Sequence, residues 1–232
     1  QTAPFIISEV ERKEVKKSPP PPFTTSKHQQ EASRLLHFSA KKTMSVAQKL
    51  CEGVELGKEG SVGLISYMRT DSVRISEEAL GNVRDYITAN YDAAYLPAEV
   101  RFFKNKESAQ DAHEAIRPTS MAFKPQEIKG YLTPDQFRLY QLIWNRFVAC
   151  QMNPAVYDQT TINVACGAYL LQAQGAIMKF PGFTIVYTEG KEENGNGEDR
   201  DLGKILPQVP EGEVVNLISL NSEQKFTQPP PR

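Results

Sequence analysis

Four consecutive prolines, residues 19–22, divide the chain near its start. Proline has no backbone N–H and fixes φ, so neither a strand nor a helix continues through such a run. The segment before it, from Phe5 to Lys17, alternates imperfectly between apolar and polar residues. This pattern predicts one long strand with a charged distal half. The proline run is then either a stiff linker at a domain boundary or a simple loop.

The residues after the prolines carry helix signals. Ser26 and Gln29 fit a capping box that opens a helix ending near His37. Ser39 can cap a second helix, which runs to about Glu52. The tight turn between the two helices resembles a helix-turn-helix, a motif that reads DNA in some proteins. Most pairs of short helices only pack together, so both interpretations stay open.

Two more helices are predicted later in the chain. Ser76 can cap a helix that ends near Asn90, and acidic residues follow the cap where the helix dipole favours them. Thr133 and Gln136 form a second capping box, with Pro134 at the first helical position. Apolar residues then recur at helical spacing, which indicates a core face rather than a cofactor site.

After Tyr157 the pattern becomes strand-like. Apolar runs separated by glycine or proline predict five short strands, at residues 160–165, 169–174, 177–180, 184–187 and 214–220. Polar, glycine-rich residues 189–204 predict a loop. We therefore expect an α+β, two-domain chain. A discontinuous β-rich hinge domain would comprise residues 1–18 and 157–232, and a mixed, mainly helical domain, residues 19–156, would be inserted into it.

One stretch of the expected inserted domain combines two chemically useful side chains. Residues 63–72, with the sequence GLISYMRTDS, have the pattern of a strand entering a turn. Residues i and i+2 of a strand project to the same face, so Tyr67 and Arg69 would point together. A phenol can act as a nucleophile, and a guanidinium can bind a phosphate through two hydrogen bonds. The alternative is that Tyr67 only packs, as most strand tyrosines do.

Charge and cysteine content limit the functional classes. The net charge is −1, and residues 24–120 carry 13 basic and 13 acidic residues, so composition alone does not indicate a DNA-binding protein. Three widely separated cysteines without metal-ligand spacing predict a reducing, cytoplasmic environment. No apolar run has the length of a membrane span, and no secretory signal is visible. The absence of an initial Met fits a piece of a longer protein.

Three ordered motifs resemble those of type IA DNA topoisomerases. Residues 65–72, ISYMRTDS, are similar to the family's active-site tyrosine signature in its bacterial form, with Ser66 where the family commonly has Thr. Residues 112–119, AHEAIRPT, are similar to a second signature of the family. Upstream, residues 21–26, PPFTTS, and 29–33, QQEAS, resemble the family's entry into the same domain. The likeness covers nearly the whole chain.

The resemblance implies a reaction and a set of site residues. Tyr67 would attack a phosphodiester of single-stranded DNA, giving a 5′-phosphotyrosine link and a free 3′-hydroxyl. The other strand would pass through the gap, and reversal would relax negative supercoils without ATP. Arg69 is the candidate that stabilises charge on the phosphate. The candidate DNA-binding residues are His113, Arg117, Glu114 and Ser66, although Glu114 and Arg117 can equally form an internal pair that shapes their loop.

The resemblance also implies parts that lie outside this chain. The family's Mg²⁺-binding acidic domain, with closely spaced aspartates, is expected upstream, so we expect no metal ligands here. The isolated chain would then neither relax supercoiled DNA nor cleave single strands at a useful rate. Its expected partners are single-stranded or negatively supercoiled DNA and the remaining domains of a monomeric parent enzyme, with no membrane.

Two alternatives remain beside this interpretation. One is a non-catalytic helix-turn-helix module that binds DNA through Lys41, Lys42 and Lys49 of the second predicted helix. The other is a structural interaction domain in which Tyr67 is packed. In the family a β-rich hinge carries a mobile domain with the tyrosine facing another domain. The topoisomerase interpretation therefore expects an exposed Tyr67 in this chain.

Overall fold

The computed structural model of the chain describes residues 3–104, 113–189, 204–219 and 221. The loop predicted at residues 189–204 lies outside the described residues except at its two ends, and so does Leu220 of the last predicted strand. Ala112, the first residue of the second motif, also lies outside them.

The described residues form a mixed α+β structure. Its strands are β1 (Phe5–Lys17), β2 (Val54–Glu55), β3 (Ser61–Val62), β4 (Ala155–Cys166), β5 (Tyr169–Phe180) and β6 (Val214–Val215). Its α-helices are α1 (Thr25–Leu36), α2 (Ala40–Glu52), α3 (Glu77–Asn90), α4 (Pro125–Ile128) and α5 (Pro134–Cys150).

By their contacts the residues fall into two compact units. The first contains the described parts of residues 1–14, 158–177 and 198–232, and the second contains those of 15–157 and 178–197. The hinge and inserted domains expected from the sequence stay a prediction.

Most residues of a four-stranded sheet belong to the first unit, and its strand order is β5-β4-β1-β6. β1 and β6 pair antiparallel, with Phe5 opposite Val215. Two residues join β4 to β5, and such a short connection can only link antiparallel neighbours. The first of them, Gly167, has a φ of 60°, which glycine adopts without a steric cost.

The strand predicted at the start of the chain is confirmed, whereas the strands predicted near its end differ from those observed. β1 has the bounds expected from the sequence. The strands predicted at 169–174 and 177–180 are one strand, because the backbone stays extended through Gly175. A Cβ at Gly175 would lie 2.5 Å from the Lys204 carbonyl oxygen, so glycine permits a close approach of two backbones there.

Two predicted strands were wrong in type or length. Residues 184–187 do not form a strand, because Gly182–Ile185 form a 3₁₀-helix. Its first residue, Gly182, has a φ of 50°. In the predicted strand 214–220, the described residues form a strand only at Val214–Val215. A short hairpin follows α2, in which Val54 of β2 pairs with Val62 of β3.

The start of α1 differs from its prediction. Its N-cap is Thr24, whose side chain accepts a backbone hydrogen bond at 3.5 Å, so the capping box predicted at Ser26 and Gln29 is wrong. The helix begins earlier because the Thr25 N–H donates to the Thr70 carbonyl oxygen at 2.8 Å, which fixes the chain at its entry. This contact joins residues far apart in sequence, so a local pattern does not encode it.

The predicted caps of α2 and α5 are confirmed, whereas Ser76 directly precedes α3 but its side chain makes no capping hydrogen bond. Ser39 caps α2 by accepting the Lys42 N–H at 3.2 Å, and α1 ends at a left-handed His37. Thr133 and Gln136 make the complete capping box of α5. α1, α2 and α5 pack against one another, and their buried apolar residues include Ala32, Ala47, Leu50, Leu139, Ile143 and Phe147.

A buried arginine ties two chain segments to α5. Arg146 is 2% exposed and donates to the Pro21 carbonyl oxygen at 2.6 Å and to the Tyr187 hydroxyl at 3.0 Å. It also pairs with Glu189 at 2.8 Å, while the Tyr187 hydroxyl donates to buried Glu31 at 3.1 Å. The segments before α1 and after β5 are thus joined inside the second unit.

Candidate functional site

The segment that carries Tyr67 is a loop, and the prediction of a strand there was wrong. Among the described residues its ladder is limited to one antiparallel bridge, between Ile65 and Pro118. The Ser66 N–H donates to the Arg117 carbonyl oxygen at 2.9 Å beside this bridge. Proline fits opposite Ile65 because this position needs no N–H from its residue.

The partner segment explains why the ladder stops after one bridge. Ile116 donates its N–H to the Phe23 carbonyl oxygen at 2.9 Å, and Ala115 donates to the Arg74 carbonyl oxygen at 2.9 Å. The backbone N–H groups of Ala115 and Ile116 are therefore bonded to other segments, so they are not available to extend the ladder along the Tyr67 loop. The loop instead depends on side-chain hydrogen bonds for its shape.

Exposure alternates along the Tyr67 loop even though it is not a strand. Tyr67 is 48% exposed and Arg69 is exposed, whereas Met68 and Thr70 are buried at 5% and 7% exposure. Arg69 has no ion-pair partner among the residues that the structure describes. Both candidate catalytic side chains are therefore presented to solvent, while the residue between them anchors the loop.

The first residue of α1 holds this anchor, which the sequence analysis missed. The Thr25 hydroxyl lies 2.9 Å from the Met68 carbonyl oxygen and 3.0 Å from the Thr70 carbonyl oxygen. Its oxygen accepts the Thr70 N–H at 2.8 Å. The loop on the C-terminal side of Tyr67 is thus fixed to the start of a helix.

Ser66 fixes the other side of Tyr67. Its hydroxyl donates to the Ala115 carbonyl oxygen at 2.7 Å and accepts the Arg117 N–H at 2.9 Å. The hydroxyl thereby joins the tyrosine motif to the second motif. Its hydrogen is used within the protein, and one lone pair remains for another donor. A contact of Ser66 with DNA stays a prediction.

His113 lies beside the candidate nucleophile. The ring centroids of Tyr67 and His113 are 5.6 Å apart and the planes are tilted by 32°. His113 is half-buried. The two motifs therefore bring a phenol and an imidazole together, as the hypothesis of a shared site requires.

Glu114 and Arg117 form the internal pair that the sequence analysis left open. Arg117 Nε donates to Glu114 Oε2 at 2.8 Å, and its Nη2 lies 2.6 Å from the same oxygen. Arg117 also donates to the Pro118 carbonyl oxygen at 2.9 Å and contacts the Ser76 hydroxyl at 3.4 Å. Both side chains are largely buried, so in this state the pair shapes the loop. Direct contact of either with DNA stays a prediction.

A thiol near the loop is not an activated nucleophile. Burial, followed by the charge of Glu52, raises the pKa of Cys51, although a hydrogen bond from the Met68 backbone acts in the opposite direction. A raised pKa keeps the thiol protonated at neutral pH, and the thiol is a weak nucleophile. All three cysteines of the chain are free.

The described ranges offer neither a cluster of metal ligands nor a helix suited to a membrane. Residues 3–104, 113–189, 204–219 and 221 contain no group of three His, Cys, Asp or Glu side chains that could hold a metal ion. Across the same ranges, no helix combines the length and the apolar character needed to cross a bilayer.

Comparisons with known proteins agree with the three motifs. The sequence model of the family described as DNA topoisomerase matches residues 1–232. The DNA topoisomerase 1 of Xylella fastidiosa, in strains Temecula1 and 9a5c, is 49% identical over 228 residues, 97% of this chain. The structure of full-length topoisomerase I from Thermotoga maritima matches with a TM-score of 0.73 and 36% identity over 92% of this chain.

These relatives are much longer than the chain. The match spans 28% of the length of each Xylella protein and 32% of the Thermotoga chain. The match nevertheless covers this chain almost from end to end. The chain therefore belongs to the type IA DNA topoisomerase family.

Proposed function

We propose that the chain is the part of a type IA DNA topoisomerase, here called the parent enzyme, that carries the nucleophile Tyr67. The observation that carries the proposal is an exposed tyrosine on a loop fixed at both sides, with His113 beside it and Arg69 exposed on the same loop. A merely packed tyrosine would not leave 48% of its surface exposed. The family's name supports DNA as the substrate.

The proposed reaction is a reversible transfer of a phosphodiester. The Tyr67 oxygen forms a bond to phosphorus while the bond from phosphorus to the 3′-oxygen breaks. The phenolic proton leaves and the departing 3′-oxygen takes up a proton, giving a 5′-phosphotyrosine and a 3′-hydroxyl. The hydroxyl later attacks the same phosphorus and restores the strand. One phosphodiester replaces another at each step, so relaxation of negative supercoils needs no ATP.

Two side chains would assist this transfer. A phenol is mostly protonated at neutral pH, so it needs a base, a cation or a metal to become a useful nucleophile. The His113 ring lies beside the Tyr67 ring, and His113 is proposed to contact the same phosphate or to take part in proton transfer. Arg69 would bind the phosphate oxygens, where negative charge develops. Ser66, Glu114 and Arg117 are proposed to line the same DNA strand.

The isolated chain is proposed to be inactive. The Mg²⁺ that the resemblance implies for the parent enzyme would be held by carboxylates outside this chain, and the described residues supply no suitable cluster. Residues 19–156 are proposed as the mobile domain, carried by a β-rich hinge of residues 1–18 and 157–232. The proposed partners are single-stranded or negatively supercoiled DNA and the other domains of a monomeric, cytoplasmic parent enzyme.

The substitution Tyr67→Phe in the parent enzyme tests this function. The variant should lose strand cleavage and plasmid relaxation while it retains binding of a single-stranded oligonucleotide, because only the attacking oxygen is removed. The matched control is Tyr131→Phe, which removes the hydroxyl of another exposed tyrosine and should leave relaxation unchanged. Cleavage at the normal rate by the Tyr67 variant would refute the proposal.

One observation favours a second candidate function. α1 and α2 form a helix pair separated by three residues, as a helix-turn-helix DNA-binding module would require. Of its candidate basic residues, however, Lys42 already pairs with Asp135 at 2.8 Å. This module needs no phenolic oxygen, so the same Tyr67 variant would keep all of its activity.

A further inference from the structure

On the C-terminal side of Tyr67, the loop that carries Arg69 is held by one residue of α1, Thr25. Thr25 makes four hydrogen-bond contacts to it: one from its backbone N–H to Thr70, and three through its hydroxyl. The hydroxyl proton can serve one carbonyl at a time, or be shared between those of Met68 and Thr70. The hydroxyl oxygen accepts the Thr70 N–H meanwhile.

These contacts fix backbone atoms on both sides of Arg69 and directly after Tyr67. The two anchored residues, Met68 and Thr70, are buried. The two residues that project outward are the proposed catalytic ones. Thr25 itself is half-buried, and the hydrogen bonds of its hydroxyl are to backbone atoms of the loop rather than to either proposed catalytic side chain.

The start of a helix is a rigid place for such an anchor. The first four N–H groups of a helix have no partner within it, and the Thr25 N–H is one of them. Here it is satisfied by the loop, so the helix end and the loop order each other. α1 packs against α2 and α5, so the Thr25 hydrogen bonds connect the loop to the core of the second unit.

We propose that Thr25 is a positioning residue for strand cleavage: its hydroxyl sets the backbone at Met68 and Thr70 and thereby the position of the Tyr67 oxygen and the Arg69 guanidinium. This inference rests on the proposed function. A misplacement of about 1 Å at a reacting centre costs about 100-fold in rate. Loss of the hydroxyl should therefore slow chemistry more than it weakens DNA binding.

The first test concerns the anchor alone and uses the 232-residue chain. Thr25→Val keeps the size of the side chain and removes its hydroxyl. Amide hydrogen exchange at Thr70 should become at least about 10-fold faster, since its N–H loses its acceptor. Thr25→Ser restores the hydroxyl and should restore most of the protection. Unchanged exchange at Thr70 in the Val variant would overturn the proposal.

The second test measures single-turnover cleavage of a single-stranded oligonucleotide by the parent enzyme. Thr25→Val should cut the cleavage rate by about 10- to 100-fold and change the Kd less than about 2-fold, with Thr25→Ser recovering most of the rate. The control is Thr43→Val, which removes a buried hydroxyl of α2 bonded to the Ser39 carbonyl oxygen at 3.0 Å. It should leave the rate unchanged.

Each remaining outcome decides the matter. Equal rate losses in the Thr25 and Thr43 variants, or a loss confined to Kd, would overturn a positioning role. If Thr25→Val does not fold, Thr25→Ala takes its place, because alanine suits the first turn of a helix. Failure of the proposed function would be seen in a different experiment, as strand cleavage by the Tyr67→Phe enzyme. Amide exchange at Thr70 would still test whether Thr25 anchors the loop.

Discussion

The Ser66 hydroxyl lies 2.7 Å from the Ala115 carbonyl oxygen and joins two loops 49 residues apart in sequence. With the bond from the Arg117 N–H, it fastens the second motif directly to the residue before Tyr67. The candidate site is therefore assembled by tertiary hydrogen bonds rather than by a continuous sheet. Stability of the fold and geometry of the site are coupled at this residue.

Ser66→Ala should lower the free energy of unfolding by about 1–2 kcal/mol. The substitution leaves the part-buried Arg117 N–H and Ala115 carbonyl each without one partner, and unmade buried hydrogen bonds cost about this much. Ser66→Thr keeps the hydroxyl, and its free energy of unfolding should stay near that of the unsubstituted chain. Urea unfolding measures both. A change below about 0.5 kcal/mol in the alanine variant would show that the bond contributes little.

Gly63→Ala should destabilise the chain by about 1–3 kcal/mol. A Cβ at this position would lie 2.6 Å from the Cys51 carbonyl oxygen, so the backbone just before the Tyr67 loop must shift. Gly81→Ala is the matched control, because Gly81 lies within α3 and a Cβ there meets nothing within 4 Å. That control should be stabilising by about 0.5–1 kcal/mol. Thermal unfolding that ranks the two variants the other way would contradict the packing described around Gly63.

Arg146→Met should destabilise the second unit by about 3 kcal/mol. The buried guanidinium satisfies the Pro21 carbonyl and the Tyr187 hydroxyl, and its removal leaves the buried Glu31 carboxylate near fewer positive charges. Its partner Glu189 is more exposed, so that ion pair contributes a smaller share.

The control for this substitution lies on the same helix. Arg138 is exposed and contacts the Leu36 carbonyl oxygen at 3.2 Å. Arg138→Met should change the free energy of unfolding by less than about 1 kcal/mol. Equal effects of the two substitutions in urea unfolding would mean that the cluster around Arg146 does not tie the chain segments together.

Stability should fall between pH 6.5 and pH 4 because of His28. Burial lowers the pKa of this fully buried histidine to about 4, and neither ring nitrogen has a partner among the described residues. The unfolded chain takes up a proton near pH 6.5, whereas the folded chain does not until about pH 4. Protonation in this window therefore favours unfolding, by about 3 kcal/mol in total.

His28→Leu removes this titration and isolates its contribution. As the pH falls from 6.5 to 4, the variant should lose less stability than the unsubstituted chain. The carboxylates titrate alike in both, so the difference reports on His28 alone. The measurement is the free energy of unfolding at several pH values in the same buffer series. Parallel pH profiles of the two chains would contradict a neutral, buried His28.

Local features of the fold were predictable from the sequence. The cap at Ser39, the capping box at Thr133 and Gln136, and the bounds of β1 depend on neighbouring residues, and all agree with the structure. The pattern of exposure at Tyr67 and Arg69 was also anticipated, although for a strand that does not form.

The contacts that shape the site were not predictable in this way. Thr25 reaches residues 43 and 45 positions away, and Ser66 reaches residues 49 and 51 positions away. Such pairs follow from how the whole chain packs, and no local periodicity encodes them. The predicted strand at Tyr67 failed for the same reason, because its partner segment turns away to Phe23 and Arg74.

The central claim is that the Tyr67 oxygen forms the covalent link to DNA. Trapping the adduct between the parent enzyme and a single-stranded oligonucleotide, followed by peptide mapping of the modified residue, tests it most directly. We predict a nucleotide joined through its 5′-phosphate to the peptide that contains Tyr67. A nucleotide attached to any other side chain would contradict the account.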